Sequence, residues 1–182
     1  MRTKGIGSRG WRLAATAVLV GVVAWASALA DTEVTIALEG SITASCSLTG
    51  VTTNLDLGNL QNAGAKTTTF MVDCNAPFKY TLASQNGALK HSTILTAPGG
   101  FANSLVYSVQ TTIPTDSGPG INDTCASSAI KAGASTCFFT NSGSAVAIDK
   151  TASLKVSWST SPSPLLAGSY QDQVTVTVSV QP

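Results

Sequence analysis

The chain has 182 residues, is 43% hydrophobic and 10% charged, and carries a formal net charge of +1. Four of its ten basic residues lie in the first twelve positions, which leaves six lysines and no arginine against nine acids, a net charge of −3. That balance excludes a nucleic-acid-binding surface, which needs clustered Lys and Arg.

Arg2, Lys4, Arg9 and Arg12 precede an apolar run over 13–29, and Ala28-Leu29-Ala30 supplies small residues for a signal peptidase. Residues 1–30 are therefore read as a secretory signal peptide cut before Asp31. An uncleaved anchor is the alternative, and the apolar run is short for it. In residues 31–40, Val34, Ile36 and Leu38 stand two apart with polar or small residues between them, the period of a strand that buries one face. Gly40 falls in the same phase. Such a strand is either the first of this domain or one offered to another copy. Residues 41–182 are long enough for one domain with a sizeable core.

Residues 42–48 continue the opening strand, and Leu55-Asp56-Leu57-Gly58 reads as a short strand or strand edge. Residues 67–74 alternate around Phe70 and Val72, Asn75-Ala76-Pro77 breaks the pattern, and 78–84 resume it with Phe78, Tyr80 and Leu82 in phase. Asn86-Gly87 signals a tight turn, because both residues tolerate positive φ. Residues 105–109 form another strand, and 115–120 and 127–135 read as loops. Residues 137–140 and 145–148 are shorter strand candidates, and Leu154, Val156 and Trp158 share one face. After a proline-rich break at 161–164 comes the cleanest alternation of all, Val174, Val176, Val178 and Val180. No helical periodicity of useful length appears. Short alternating runs between turn residues predict an all-β sandwich or barrel. Neither terminal strand has a lysine or proline in its interior to discourage edge pairing, so each open edge is either covered or used.

The four cysteines, Cys46, Cys74, Cys125 and Cys137, lie beyond the leader and suit an oxidising compartment. Three pairings are open to them. Cys46–Cys74 with Cys125–Cys137 is the economical one, closing two local loops worth about 3 kcal/mol each. No CxxC occurs and His91 is the sole histidine, so neither a metal nor a cofactor is expected. His91 reads as an exposed loop residue after the Asn86-Gly87 turn, and no Ser–His–Asp set can be built on it. Asp56, Asp73 and Asp172 sit near turns, and nothing brings two together as an acid–base pair; no catalytic residue is expected. Asn122-Asp123-Thr124 fits the glycosylation triplet and is assigned no role. Phe70, Tyr80, Phe138, Phe139 and Trp158 read as core rather than a sugar-binding platform, and Tyr170 as packing at a strand entrance.

Taken in order, these features resemble the spore coat protein U-like subunits of archaic chaperone–usher pili. The resemblance rests on the N-terminal strand leading through Ile42-Thr43-Ala44-Ser45-Cys46, on Leu55-Asp56-Leu57-Gly58, and on Val72-Asp73-Cys74. It continues through Tyr80-Thr81-Leu82 to Asn86-Gly87, and closes with Gly168-Ser169-Tyr170-Gln171-Asp172 before the valine strand. It spans residues 31–182 as scattered short features, and the Cys125–Cys137 loop departs from it.

The resemblance implies an incomplete, six-stranded immunoglobulin-like sandwich, completed by a donated strand. It implies Val34, Ile36 and Leu38 as donor side chains in 31–40, and Val174, Val176, Val178 and Val180 as an edge of the acceptor groove in the domain 41–182. It matches Cys46 and Cys74 to the family's first disulfide. The implied partners are other copies of the same or related subunits, a periplasmic chaperone and an outer-membrane usher, and the product is an extracellular or cell-surface fibre. An N-terminal donor strand points to a shaft subunit. A monomeric secreted binding module using the Cys125–Cys137 loop is the alternative, and a secreted hydrolase is the weakest class.

Overall fold

A computed structural model describes residues 34, 36–132, 137 and 140–181. The expected leader, most of the 31–35 segment, Phe138 and Phe139 lie outside the described residues. The chain divides into two units at Gly40 and Ser41. In the first, Val34 and residues 36–40 belong to no strand and are exposed.

The second unit is all-β. Its strands are β1 (Cys46–Thr49), β2 (Gly64–Cys74), β3 (Phe78–Ser84), β4 (Leu89–His91), β5 (Ser104–Leu105), β6 (Tyr107–Ile113), β7 (Ile121–Ala126), β8 (Thr140–Asn141), β9 (Ala147–Trp158), β10 (Tyr170–Gln171) and β11 (Val174–Val180). One sheet has the order β1-β2-β9-β6-β7; β11-β3-β8 and β10-β4-β5 form two short sheets. Every strand pair is antiparallel. The sheets stack as a sandwich rather than closing into a barrel, and their facing side chains make the core. Phe70, Val72, Phe78, Tyr80, Leu82, Val109, Ile113, Leu154, Val156 and Trp158 are all buried in it.

The strand count exceeds six because long paths are interrupted. β3 and β4 run on in one direction beside β11 and β10, with Ser84 opposite Val174 and Lys90 opposite Gln171. Five residues on one side thus face two on the other, and the expected turn at Asn86-Gly87 lies within this bulge. Gly87 holds φ at +73° there, a conformation that other residues adopt at a cost. The expected strand 105–109 is split at Val106, where the chain leaves β4 and joins β9 in the other layer. Conversely, the candidates 145–148 and 154–158 merge into β9, with a bulge near Asp149 taking up the irregular register.

Two more expectations are corrected. Residues 42–45 are not strand, because β2 ends at Cys74 and offers no further ladder. Asn75 stands in for one: its Oδ1 accepts from Ser45 N at 2.8 Å and its Nδ2 donates to Thr43 O at 3.0 Å. The region expected as loop at 127–135 begins with a 3-10 turn, Ser127–Ile130, whose Ser127 and Ile130 are buried. β7 was not expected, since Ile121-Asn122-Asp123-Thr124 has too few apolar residues to reveal a strand.

Both disulfides form. Cys46 and Cys74 face each other across the β1–β2 ladder, Cα atoms 4.1 Å apart. Cys125–Cys137 links β7 of the large sheet to the segment entering β8 of the other layer, Cα atoms 6.0 Å apart. Two disulfides fit an oxidising compartment. Among the described residues no helix is long and apolar enough to cross a membrane.

Candidate functional site

β11 is the outer strand of its sheet, paired only with β3 among the described strands. Its alternation turns Val174, Val176 and Val178 inward, where they pack on the core while remaining half-buried; Val180 is also half-buried. Thr175 and Thr177 face outward and are exposed. β1 is likewise an outer strand and lies beside β11. Beyond Thr49 the chain leaves the ladder, and here a groove of about 1030 Å³ opens.

One wall of the groove is the segment 51–61 and the other is Val174 and Val176 with residues 165–173. Phe70 of β2 and Leu154 and Val156 of β9 line its floor, with Leu89 and Tyr107. Leu55 and Leu57 alternate as a strand would and pack on the core with Leu60, but 51–61 contains no strand. Its backbone is satisfied locally instead: Asp56 Oδ1 accepts from Gly58 N and Asn59 Oδ1 from Gln61 N, each at 2.9 Å. These side-chain turns compete with a ladder. The hydroxyl of Thr68 donates to that of Thr52 at 2.7 Å, tying the wall to β2.

The far end of the groove is pinned by polar contacts. The Asp172 carboxylate accepts from the Ser84 hydroxyl at 2.5 Å, the Tyr107 hydroxyl at 2.7 Å and Asn86 N at 2.9 Å. It thereby joins the β10–β11 break, the β3–β4 bulge and β6. Burial, reinforced by the hydrogen bond to Asp172, holds the Tyr107 phenol above the ordinary tyrosine range.

His91 is buried on β4, not exposed in a loop. Its Nδ1 accepts from Thr93 N at 3.2 Å and Ile94 N at 3.1 Å, which places the ring proton on Nε2, donating to Ala167 O at 3.1 Å. The Tyr170 ring meets it edge-on at 5.2 Å, and the Tyr170 hydroxyl donates to Leu166 O at 2.9 Å. Gly168, with φ +146°, lies so close that any side chain there would strike the imidazole. His91 thus fastens the 165–170 strap. Among the described residues no group of His, Cys, Asp and Glu is arranged to hold a metal ion.

Val174 and Val176 line the groove, whereas Val178 and Val180 continue the same strand outside it. Val34, Ile36 and Leu38 are 82%, 75% and 91% exposed. Sequence reasoning missed the strap and the role of 51–61 as a wall. The Leu55, Leu57 alternation was the available signal for the wall; the strap has none. Phe70 and Trp158, read as core, are core, and the indole N–H of Trp158 donates to Asn62 O at 2.8 Å. Neither models of known protein families nor curated proteins match this chain.

Proposed function

We propose that this chain is the structural subunit of a secreted surface fibre, pilus or coat, that polymerises by donor-strand complementation. The observation that carries the reading is a groove with an apolar floor of Phe70, Leu154 and Val156 beside the unpaired edge of β11, in a chain that also bears an exposed, alternating apolar extension. An unpaired edge offers a row of backbone donors and acceptors to an added strand, and alternate pockets select its side chains. Val34, Ile36 and Leu38 of the next copy fill the groove, each buried aliphatic contributing roughly 1.5–3 kcal/mol before ordering entropy is subtracted. Because the donating and accepting surfaces differ, the contact is head-to-tail and builds a filament. A periplasmic chaperone covers the groove until an outer-membrane usher exchanges it for the next subunit.

A second reading is favoured by the groove's size, which matches small-molecule sites: a monomeric secreted binding module. One experiment separates the two. The mature chain from Asp31, and the same chain lacking 31–39, are exported to an oxidising compartment and run unheated in sodium dodecyl sulfate. Strand donation predicts heat-sensitive ladders for the first, and a truncated chain that stays unstable until a peptide spanning 34–38 is added. Stable monomers from both chains would overturn it in favour of the binding module.

A further inference from the structure

We infer that consecutive copies in the fibre also pack end to end through exposed apolar caps, with Ile42 and Ile148 of one copy against Leu95 and Phe101 of the copy that accepts its strand. The inference rests on the strand-donation reading and adds a second, direct contact between sandwiches.

The two caps lie at opposite ends of the sandwich. β11 runs from Val174, opposite Ser84, to Val180, opposite Phe78. Asn75 holds Thr43 and Ser45 at the end where Cys46 meets Cys74, so each copy's extension departs from that end. Ile42, immediately before this clasp, is 91% exposed, and Ile148, next to Ala147 opposite Cys74, is 41% exposed. At the other end, β4 and β10 lead into the loop 92–103, where Leu95 is 89% and Phe101 49% exposed. This loop is stitched to the groove's own wall: Ala102 N donates to Pro164 O at 2.8 Å and Leu166 N to Ala102 O at 3.0 Å.

Strand direction and reach bring the caps together. A strand added antiparallel to β11, like every strand pair in the sandwich, ends at the Tyr170 side of the groove, beside the 92–103 loop. Only four residues separate Leu38, the last donor side chain, from Thr43, where Asn75 takes hold. Five steps of at most ~3.6 Å cannot carry the donor's body more than about 18 Å from the groove. The donor's Ile42 cap is therefore tethered within reach of the acceptor's Leu95–Phe101 cap, and exposed apolar patches held so near one another associate.

The test is a full mature chain carrying Ile42→Cys and Leu95→Cys, assembled and oxidised, then compared unheated and after boiling without reductant. The expected result is a ladder in both samples, because cap cross-links survive boiling. A control carrying Leu95→Cys with Lys155→Cys, whose second position is exposed in mid-β9, loses its ladder on boiling. Should the new cysteines disturb the native disulfides, Leu95→Ser with Phe101→Ser is the second variant: the unheated ladder persists and the fibres bend more sharply in electron micrographs. An unheated ladder that vanishes on boiling, with fibres as straight as wild type in the serine variant, overturns the cap contact and leaves strand donation standing. No ladder even before boiling overturns strand donation and the cap contact with it.

Discussion

β6 and β11 are both seven residues long and both alternate, Tyr107-Ser108-Val109-Gln110-Thr111-Thr112-Ile113 against Val174-Thr175-Val176-Thr177-Val178-Ser179-Val180. β6 is flanked by β9 and β7, and every inward residue on it is buried; among the described strands β11 pairs with β3 alone, and none of its valines is fully buried. Equal patterns thus end in unequal burial. Alternation decides which side chains share a face, whereas the neighbours decide whether that face leaves water. The closed flank is also reinforced: Cys125–Cys137 staples its layers, and the buried Tyr80 hydroxyl donates to Thr111. The open flank has a groove where another strand would lie.

The contrast is broken most forcibly by truncating one side chain in each strand. Ile113→Ala leaves a cavity in a fully buried site and destabilises the domain by about 2–5 kcal/mol. Val176→Ala, beside the groove, costs about 1 kcal/mol or less. Urea midpoints at unchanged slope measure both, and the Val176→Ala penalty grows once a peptide spanning 34–38 is bound. Equal penalties in the peptide-free chain would mean that the groove is already filled.

Asp172→Asn tests the joint between the flanks, since Asp172 just ahead of β11 holds the hydroxyl of Tyr107 at the start of β6. An amide cannot accept from all the donors that the carboxylate satisfies, and one buried hydroxyl left unpaired costs about 1–3 kcal/mol. The urea midpoint falls accordingly, and hydrogen exchange quickens at Asn86, whose N–H is bound to the same carboxylate.

The smallest effect concerns Asp116 and Lys150, which tie the loop after β6 to β9 at 2.5 Å. The Lys150 hydrogen bond, with a second from Ile148 N, lowers the Asp116 pKa below the usual carboxylate value. Its stabilisation is therefore present above the unfolded carboxylate's pKa and is lost as pH falls through the lowered folded value. In Lys150→Met the Asp116 resonance titrates at higher pH and the acid limb of the stability profile flattens slightly. An unmoved titration would show that the ion pair does not persist in solution.

Much of the sandwich was legible in the chain. β3, β11 and most of β2 follow from strict alternation, and the paired faces of Leu154, Val156 and Trp158 bury as their spacing requires. Features made by distant residues were not legible. His91 looked exposed because its partners, Ala167 and Tyr170, come from the strap some eighty positions later. The Asn86-Gly87 pair signalled a turn, but its place in a bulge opposite the β10–β11 break was set by those two strands. β7 carries so few apolar residues that only its pairing with β6 defines it.

By itself, then, the sequence determined local preference and chemical class: alternating strands, turn positions, few charges, and thiols in numbers that allow pairing. These depend on neighbours one to four positions away, where chain geometry leaves little choice. Tertiary structure decided the disulfide partners, the burial of His91 and the groove beside β11. Each depends on which segments meet across tens of residues, and an edge is open only when the fold assigns it no neighbour.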